Sequence, residues 1–144
     1  MSQVGLYFED LSIGQSATFG KTVSEADILM FAGVSGDTNP VHLDAEYAAN
    51  TPFKERIAHG MLSAGLISAV LGTRLPGPGA VYVGQTLKFR APVKIGDTVT
   101  ARAEVIELEP SKRRVVLRTQ CLIKGKVVVD GEATVMVPGR PVAV

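Results

Sequence analysis

The sequence predicts an α+β protein in which a curled antiparallel sheet wraps around one long apolar helix. Two features carry this expectation. The stretch GMLSAGLISAVLG, from Gly60 to Gly72, holds no charge, whereas from Thr98 to Val137 apolar and polar residues alternate with the period of half-buried strands. Between the two, Gly77, Pro78 and Gly79 break the chain. The element order is therefore a short strand, helices, and then several antiparallel strands.

The first helix spans Ser24 to Val34, where Ile28, Leu29, Phe31, Ala32 and Val34 recur at three- and four-residue spacing. Ser24 is a suitable N-cap, and Glu25 and Asp27 place negative charge in the first turn. The second helix, from about Ser63 to Arg74, is apolar on nearly every side and must be surrounded by protein. It is shorter than the ~20 residues a bilayer requires, and His59 and Arg74 bracket its charge-free run. Three strands follow: Val99, Ala101, Ala103 and Val105 point inward on the first, and Val115, Leu117, Thr119, Cys121 and Ile123 on the second. Val127, Val129, Ala133, Val135 and Val137 mark the third. The connections Ile95-Gly96-Asp97, Glu109-Pro110-Ser111-Lys112 and Lys124-Gly125-Lys126 have turn chemistry. One sheet leaves part of such a helix uncovered, so a second subunit is expected to cover the remainder.

The 144 residues fit a single domain, 1–144, without internal repeats or linkers. A composition of 46% hydrophobic and 20% charged residues with net charge +1 argues against nucleic acid or a membrane surface as partner. Cys121 is the only cysteine, which rules out an intrachain disulfide and a cysteine-cluster zinc site and fits a reducing compartment. The N-terminal MSQVGLYFEDL has acids where an export signal has basic residues, so the expected location is the cytoplasm.

Chemistry concentrates in SGDTNPVH, Ser35 to His42. Gly33 and Gly36 weaken the end of the first helix, and Pro40 disfavours helical geometry at Asn39, so the chain turns here. The turn can bring Asp37 and His42 toward one point, with Asn39 capping it through its own backbone. A carboxylate and an imidazole converging on one water can add that water across an activated double bond by acid–base catalysis alone. The structural alternative is that Asp37 caps a turn and His42 merely packs. A second feature is Ala58-His59-Gly60-Met61, directly before the buried helix. Free amides at a helix start, with a glycine that admits close approach, make Gly60 a candidate oxyanion donor; close packing is the alternative.

Other chemistries fit less well. Asp37, His42, Asp44 and His59 lack an HExxH-like spacing, so no metal is expected. Gly60, Ser63 and Gly65 miss the GxSxG offset, and GPGAVYVG fails as GxGxxG and precedes a strand. Lys88, Arg90 and Lys94, with Arg74, form a basic group that reads as a solvated strand face or, alternatively, as a contact for the phosphates of a nucleotide-tailed ligand.

The run FAGVSGDTNPVH, Phe31 to His42, with Ala48 six residues on, resembles the signature of the MaoC-like (R)-specific enoyl-CoA hydratases, and AHGML, Ala58 to Leu62, resembles that family's second block. The similarity continues through GQTLKFRAPVKIGDTV and covers most of the chain. It implies a hot-dog fold assembled as a homodimer or larger homo-oligomer. It also implies an acyl-CoA thioester substrate, a trans-2-enoyl-CoA hydrated reversibly and in syn fashion to an (R)-3-hydroxyacyl-CoA. Coenzyme A is then part of the substrate, and no separate cofactor is expected. Asp37 and His42 match the family's catalytic pair and Gly60 its oxyanion amide. Asn39, Ser68 and Leu71 are expected against the substrate, Ser68 lining the site and Leu71 beside the acyl tail. Which of Asp37 and His42 is base and which acid stays open, as do acyl length and pathway: fatty-acid breakdown, polyester precursor supply or a more specialised acid. A thioesterase and a non-catalytic acyl-CoA-binding dimer are the alternatives.

Overall fold

A computed structural model describes residues 4–142. Of the N-terminal stretch read for an export signal, residues 1–3 lie outside the described residues, and Phe8–Asp10 form a 3-10 turn. No described helix is long and apolar enough to cross a membrane.

The alternating segments build one antiparallel sheet from β1 (Ser16–Thr22), β2 (Val81–Gln85), β3 (Lys88–Phe89), β4 (Thr98–Glu109), β5 (Arg114–Ile123) and β6 (Lys126–Met136). The order is β1-β4-β5-β6-β2, with β3 also on β6, and the sheet does not close, so β1 and β2 keep free outer edges. Across one face lies α4 (Gly60–Thr73), in contact with β1, β4, β5 and β6. Val99, Ala101, Ala103, Val105, Val115, Leu117 and Cys121 are fully buried beneath it and meet Leu62, Leu66, Ile67, Val70 and Leu71 of the helix. This is the hot-dog architecture, a sheet around a central helix.

Within the sheet and the two longer helices the structure differs from the sequence reading in three places. The central helix begins at Gly60, three residues before the expected start, because His59 holds an extended N-cap conformation. As expected of a helix covered by one sheet, a stripe of α4 (Met61, Gly65, Ser68 and Gly72) stays exposed in the single chain. On α1 (Glu25–Ser35), Ile28 and Ala32 face the core, while Leu29, Met30 and Val34 point outward at 52%, 65% and 86% exposure. The strict alternation on β6 fails at Val128. A bulge between Cys121↔Val129 and Leu122↔Val127 adds one residue, so Val128 and Val129 are both buried. The Ser24 cap is as expected, and it forms a full capping box: Asp27 N–H donates to Ser24 Oγ at 3.2 Å and Ser24 N–H to Asp27 Oδ2 at 2.9 Å.

Candidate active site

Between α1 and α4 the chain makes two short helices, α2 (Pro40–Leu43), where the sequence reading placed a turn, and α3 (Ala45–Ala49). Each is short but capped. Asn39 Oδ1 accepts the Val41 N–H at 3.1 Å, with Pro40 at the first helical position, and Asp44 Oδ1 accepts the Glu46 and Tyr47 amides at 3.0 and 3.1 Å. The turn before α2 is tied in the same way. Gly36 takes the left-handed conformation (φ 79°) that ends α1, Asp37 N–H donates to Ser35 Oγ at 3.1 Å, and Asp37 Oδ1 accepts the Asn39 N–H at 3.2 Å.

These turns put Asp37 and His42 beside one cavity of about 360 Å³, with Gly60 in the same lining. One potential ligand atom from each of Asp37, His42 and His59 lies within 4.8 Å of the others, a spacing that would also suit a cation. Asp37 is exposed at the cavity mouth, whereas His42 is 8% and His59 2% exposed. The rest of the lining is mostly apolar and includes Phe53, Ile57, Met61, Phe89, Val93 and Val129.

The tautomer of His42 follows from its surroundings. Its Nδ1 sits 2.8 Å from the Ile57 carbonyl oxygen, which only accepts, so Nδ1 carries the proton. Nε2, at the opposite edge of the ring, is left for the cavity with a lone pair. The Ile57 segment is itself pinned: its N–H donates to Val41 O at 3.3 Å, and Ala58 N–H donates to Val93 O at 2.7 Å. Arg56 braces the loop by donating to His42 O at 2.7 Å and pairing with Glu25 of α1 at 2.7 Å.

His59 is a site residue that sequence reasoning missed as such. Its ring stacks on His42 with centroids 3.8 Å apart, and its Nε2–H donates to the Asp37 carbonyl at 2.9 Å, so one imidazole touches both members of the pair. Phe31 closes its other side at 4.8 Å. The signal was present in the AHGM stretch, where a histidine precedes a helix with no polar partner nearby in sequence. Phe89 was missed too. Its ring lies over Gly60 so closely that a Cβ there would come within 2.6 Å of two ring carbons. Gly60 thus serves close packing, and the same bareness leaves its amide accessible. That amide opens α4 and has no acceptor among the described residues.

Three residues expected against the substrate do not line this cavity. Asn39 is exposed and spends its side chain capping α2, so it does not line this cavity. Ser68 and Leu71, two and three turns along α4 from Gly60, border a separate hollow of about 210 Å³ with Tyr82 and Val135. The helical repeat turns Ser63, not Ser68, toward Asp37 and His42. Of the basic group, Arg90 lines the cavity and pairs with Asp130 at 3.3 Å, and Lys94 pairs with Glu55 at 3.7 Å. Arg74 lies over Phe19 at 5.3 Å and bonds the Thr18 carbonyl, away from the site.

An open antiparallel sheet around a central helix, with a carboxylate and an imidazole facing a helix-start glycine, defines the class. The chain belongs to the MaoC-like domain family, which it matches over residues 10–127. It is 66% identical over 134 residues to an (R)-specific enoyl-CoA hydratase of Rhodospirillum rubrum, covering 93% of both chains. It is 57% identical to a 3-hydroxybutyryl-CoA dehydratase of Methylorubrum extorquens, with 94% of this chain and 86% of that one covered. Among solved structures, the unliganded R-hydratase PhaJ1 of Pseudomonas aeruginosa superposes with a TM-score of 0.89 at 49% identity, over 97% of each chain. The (R)-hydratase of Aeromonas caviae involved in PHA biosynthesis superposes at 0.87 with 44% identity, over 90% of this chain and 99% of that one.

Proposed function

We propose that the protein is an (R)-specific enoyl-CoA hydratase, a hydro-lyase that adds water reversibly to a trans-2-enoyl-CoA, with Asp37 and His42 as the acid–base pair and the Gly60 amide as oxyanion donor. The observation that carries the assignment of roles is their sharing of one cavity: a carboxylate oxygen and a backbone amide, both without a partner among the described residues, line it together with the imidazole.

Both members of the pair accept hydrogen bonds. A water between them donates one O–H to Asp37 and the other to His42 Nε2, which leaves its oxygen lone pair directed at the substrate. As that oxygen bonds to C3, the C2=C3 electrons move onto the thioester oxygen, where the Gly60 N–H and the start of α4 stabilise the charge. Asp37 takes the water proton. The enolate then collapses, C2 receives a proton from the pair on the same face, and the pair ends as it began. Coenzyme A belongs to the substrate, and neither metal nor other cofactor takes part.

The working unit is a homodimer of one-domain chains. In support, β2 has a free outer edge beside Val81, Val83 and Met136, which are 58%, 45% and 42% exposed, and α4 bares its stripe of small residues. Equilibrium sedimentation tests this. The lone thiol Cys121, buried and pushed up to about 12 by desolvation, fits residence in the reducing cytoplasm.

The deciding experiment adds trans-2-butenoyl-CoA and follows enone absorbance, free thiol and product chirality. Loss of absorbance without thiol, giving the (R)-alcohol and surviving exhaustive chelation, is the expected result. Release of thiol would make the protein a thioesterase, and no change in either signal would make it a binding module.

A further inference from the structure

Ser63 carries a hydroxyl that nothing among the described residues satisfies. The residue is 0% exposed, and its Oγ has no hydrogen-bond partner among the described residues, an unfavourable state for a buried hydroxyl. Hydroxyls within helices ordinarily donate to the carbonyl one turn back. Thr73 does so to Ala69 O and Ser35 to Phe31 O, each at 2.6 Å. Ser63 does not, and the carbonyl one turn before it, that of His59, instead accepts the Leu62 N–H at 3.1 Å.

The side chain lines the cavity that holds Asp37, His42 and Gly60. Ser63 follows Gly60 by three positions on α4, which sets the two on one helix face, and helical side chains lean toward the helix start. Its backbone is held from behind, because the Cys121 thiol donates to Ser63 O at 3.3 Å. The hydroxyl is therefore a fixed, dry donor on the Gly60 side of the cavity. The pair that grips water is on the segment facing it; of the other lining side chains, Phe89 and Val129 offer no acceptor and Met61 only a weak thioether one.

We propose that Ser63 Oγ–H is a second oxyanion donor, bonding the thioester oxygen together with the Gly60 N–H. This rests on the enoyl-thioester reading above. Two donors on one oxygen favour the enolate over the neutral carbonyl, because each strengthens as charge accumulates. Ser63 is then a catalytic residue of the hydration step and not a space-filling serine.

The test uses Ser63→Ala and the volume-preserving Ser63→Cys in the full chain. Steady-state hydration of trans-2-butenoyl-CoA is measured alongside the absorption of a bound 2,4-dienoyl-CoA, whose extended conjugation slows hydration and whose red shift reports carbonyl polarisation. The expected result is a fall in kcat of about 10²-fold for Ser63→Ala, with KM within roughly threefold, a smaller loss for Ser63→Cys, and a reduced red shift. A Ser63→Ala enzyme with unchanged kcat and full red shift overturns the proposal. It would leave the hydroxyl as an anchor for a water bridging to His59 Nδ1, which is likewise buried without a partner. Failure of the underlying reading looks different: the unaltered protein itself would then not hydrate the enoyl thioester.

Discussion

The sheet with α4 and the segment from Gly36 to His59 are built on opposite principles. In the frame, side chains repeat with fixed periods and bury themselves; the inward positions of β4 and β5 from Val99 to Cys121 are almost all at 0% exposure. The segment buries few side chains: His42, Ala48, Ala58 and His59. It takes its shape from individual bonds between side chains and backbone at Ser35, Asp37, Asn39, Asp44 and Arg56. Stability is thus shared over many contacts in one region, while geometry hangs on single contacts in the other. Substitutions in the two should separate folding from chemistry.

The largest effect is expected in the segment. Asp37→Ala lowers hydration by roughly two to four orders of magnitude, while stability to denaturant falls by no more than about 0.5–1.5 kcal/mol, the worth of the exposed bond from the Asn39 N–H to Asp37 Oδ1. Unchanged turnover would remove Asp37 from the mechanism. The converse substitution is Leu117→Ala in the centre of β5, where the side chain is fully buried. It should destabilise by about 2–5 kcal/mol and leave kcat per folded molecule as it was; a parallel loss of kcat would mean that frame and site are not separable.

Gly60→Ala tests the seam between the regions. The added methyl meets the Phe89 ring at 2.6 Å, and because that ring is 54% exposed it can swing aside and reshape the cavity wall. A displacement of about 1 Å at the reacting centre corresponds to roughly 10²-fold in rate, with no loss of stability, because Ala favours a helix more than Gly does. Retention of full activity would show that the Phe89 contact is dispensable.

The smallest effect concerns acid. The Ser24 N–H, aided by Lys21 at 3.1 Å, holds the Asp27 carboxyl below its ordinary value. The stabilisation is complete above the unfolded-state pKa, near 4, and fades as pH falls through the lower folded value. Asp27→Asn should therefore reduce stability at pH 7 by about 0.3–1 kcal/mol, and the difference from the unaltered chain should shrink on acidification below about pH 4. A difference independent of pH would assign the cap to Ser24 alone.

The same contrast explains what the sequence made legible. Periodicity exposed β4, β5, the capped α1 and the apolar α4, because burial imposes a repeat. It missed the bulge at Val128, which depends on how β5 and β6 pair and leaves no local mark. Asp37, His42 and Gly60 stood out as residue types at a turn and a helix start. The short α2 and α3 did not, although Asn39-Pro40 and Asp44 announce them as caps. Ser68 and Leu71, expected against the substrate, lie farther along α4 and border another hollow. Ser63 was noticed only as a failed nucleophile motif and as polar packing or a substrate contact, because its distinction is an unsatisfied atom, which only the packed chain reveals.

His59 leans on the face of His42 and holds the main chain of Asp37, while its own next residue is the glycine that begins α4. The acid, the imidazole and the amide are consequently mounted on a common post. A substitution that displaced the start of the central helix would therefore be expected to disturb all three together and not one alone.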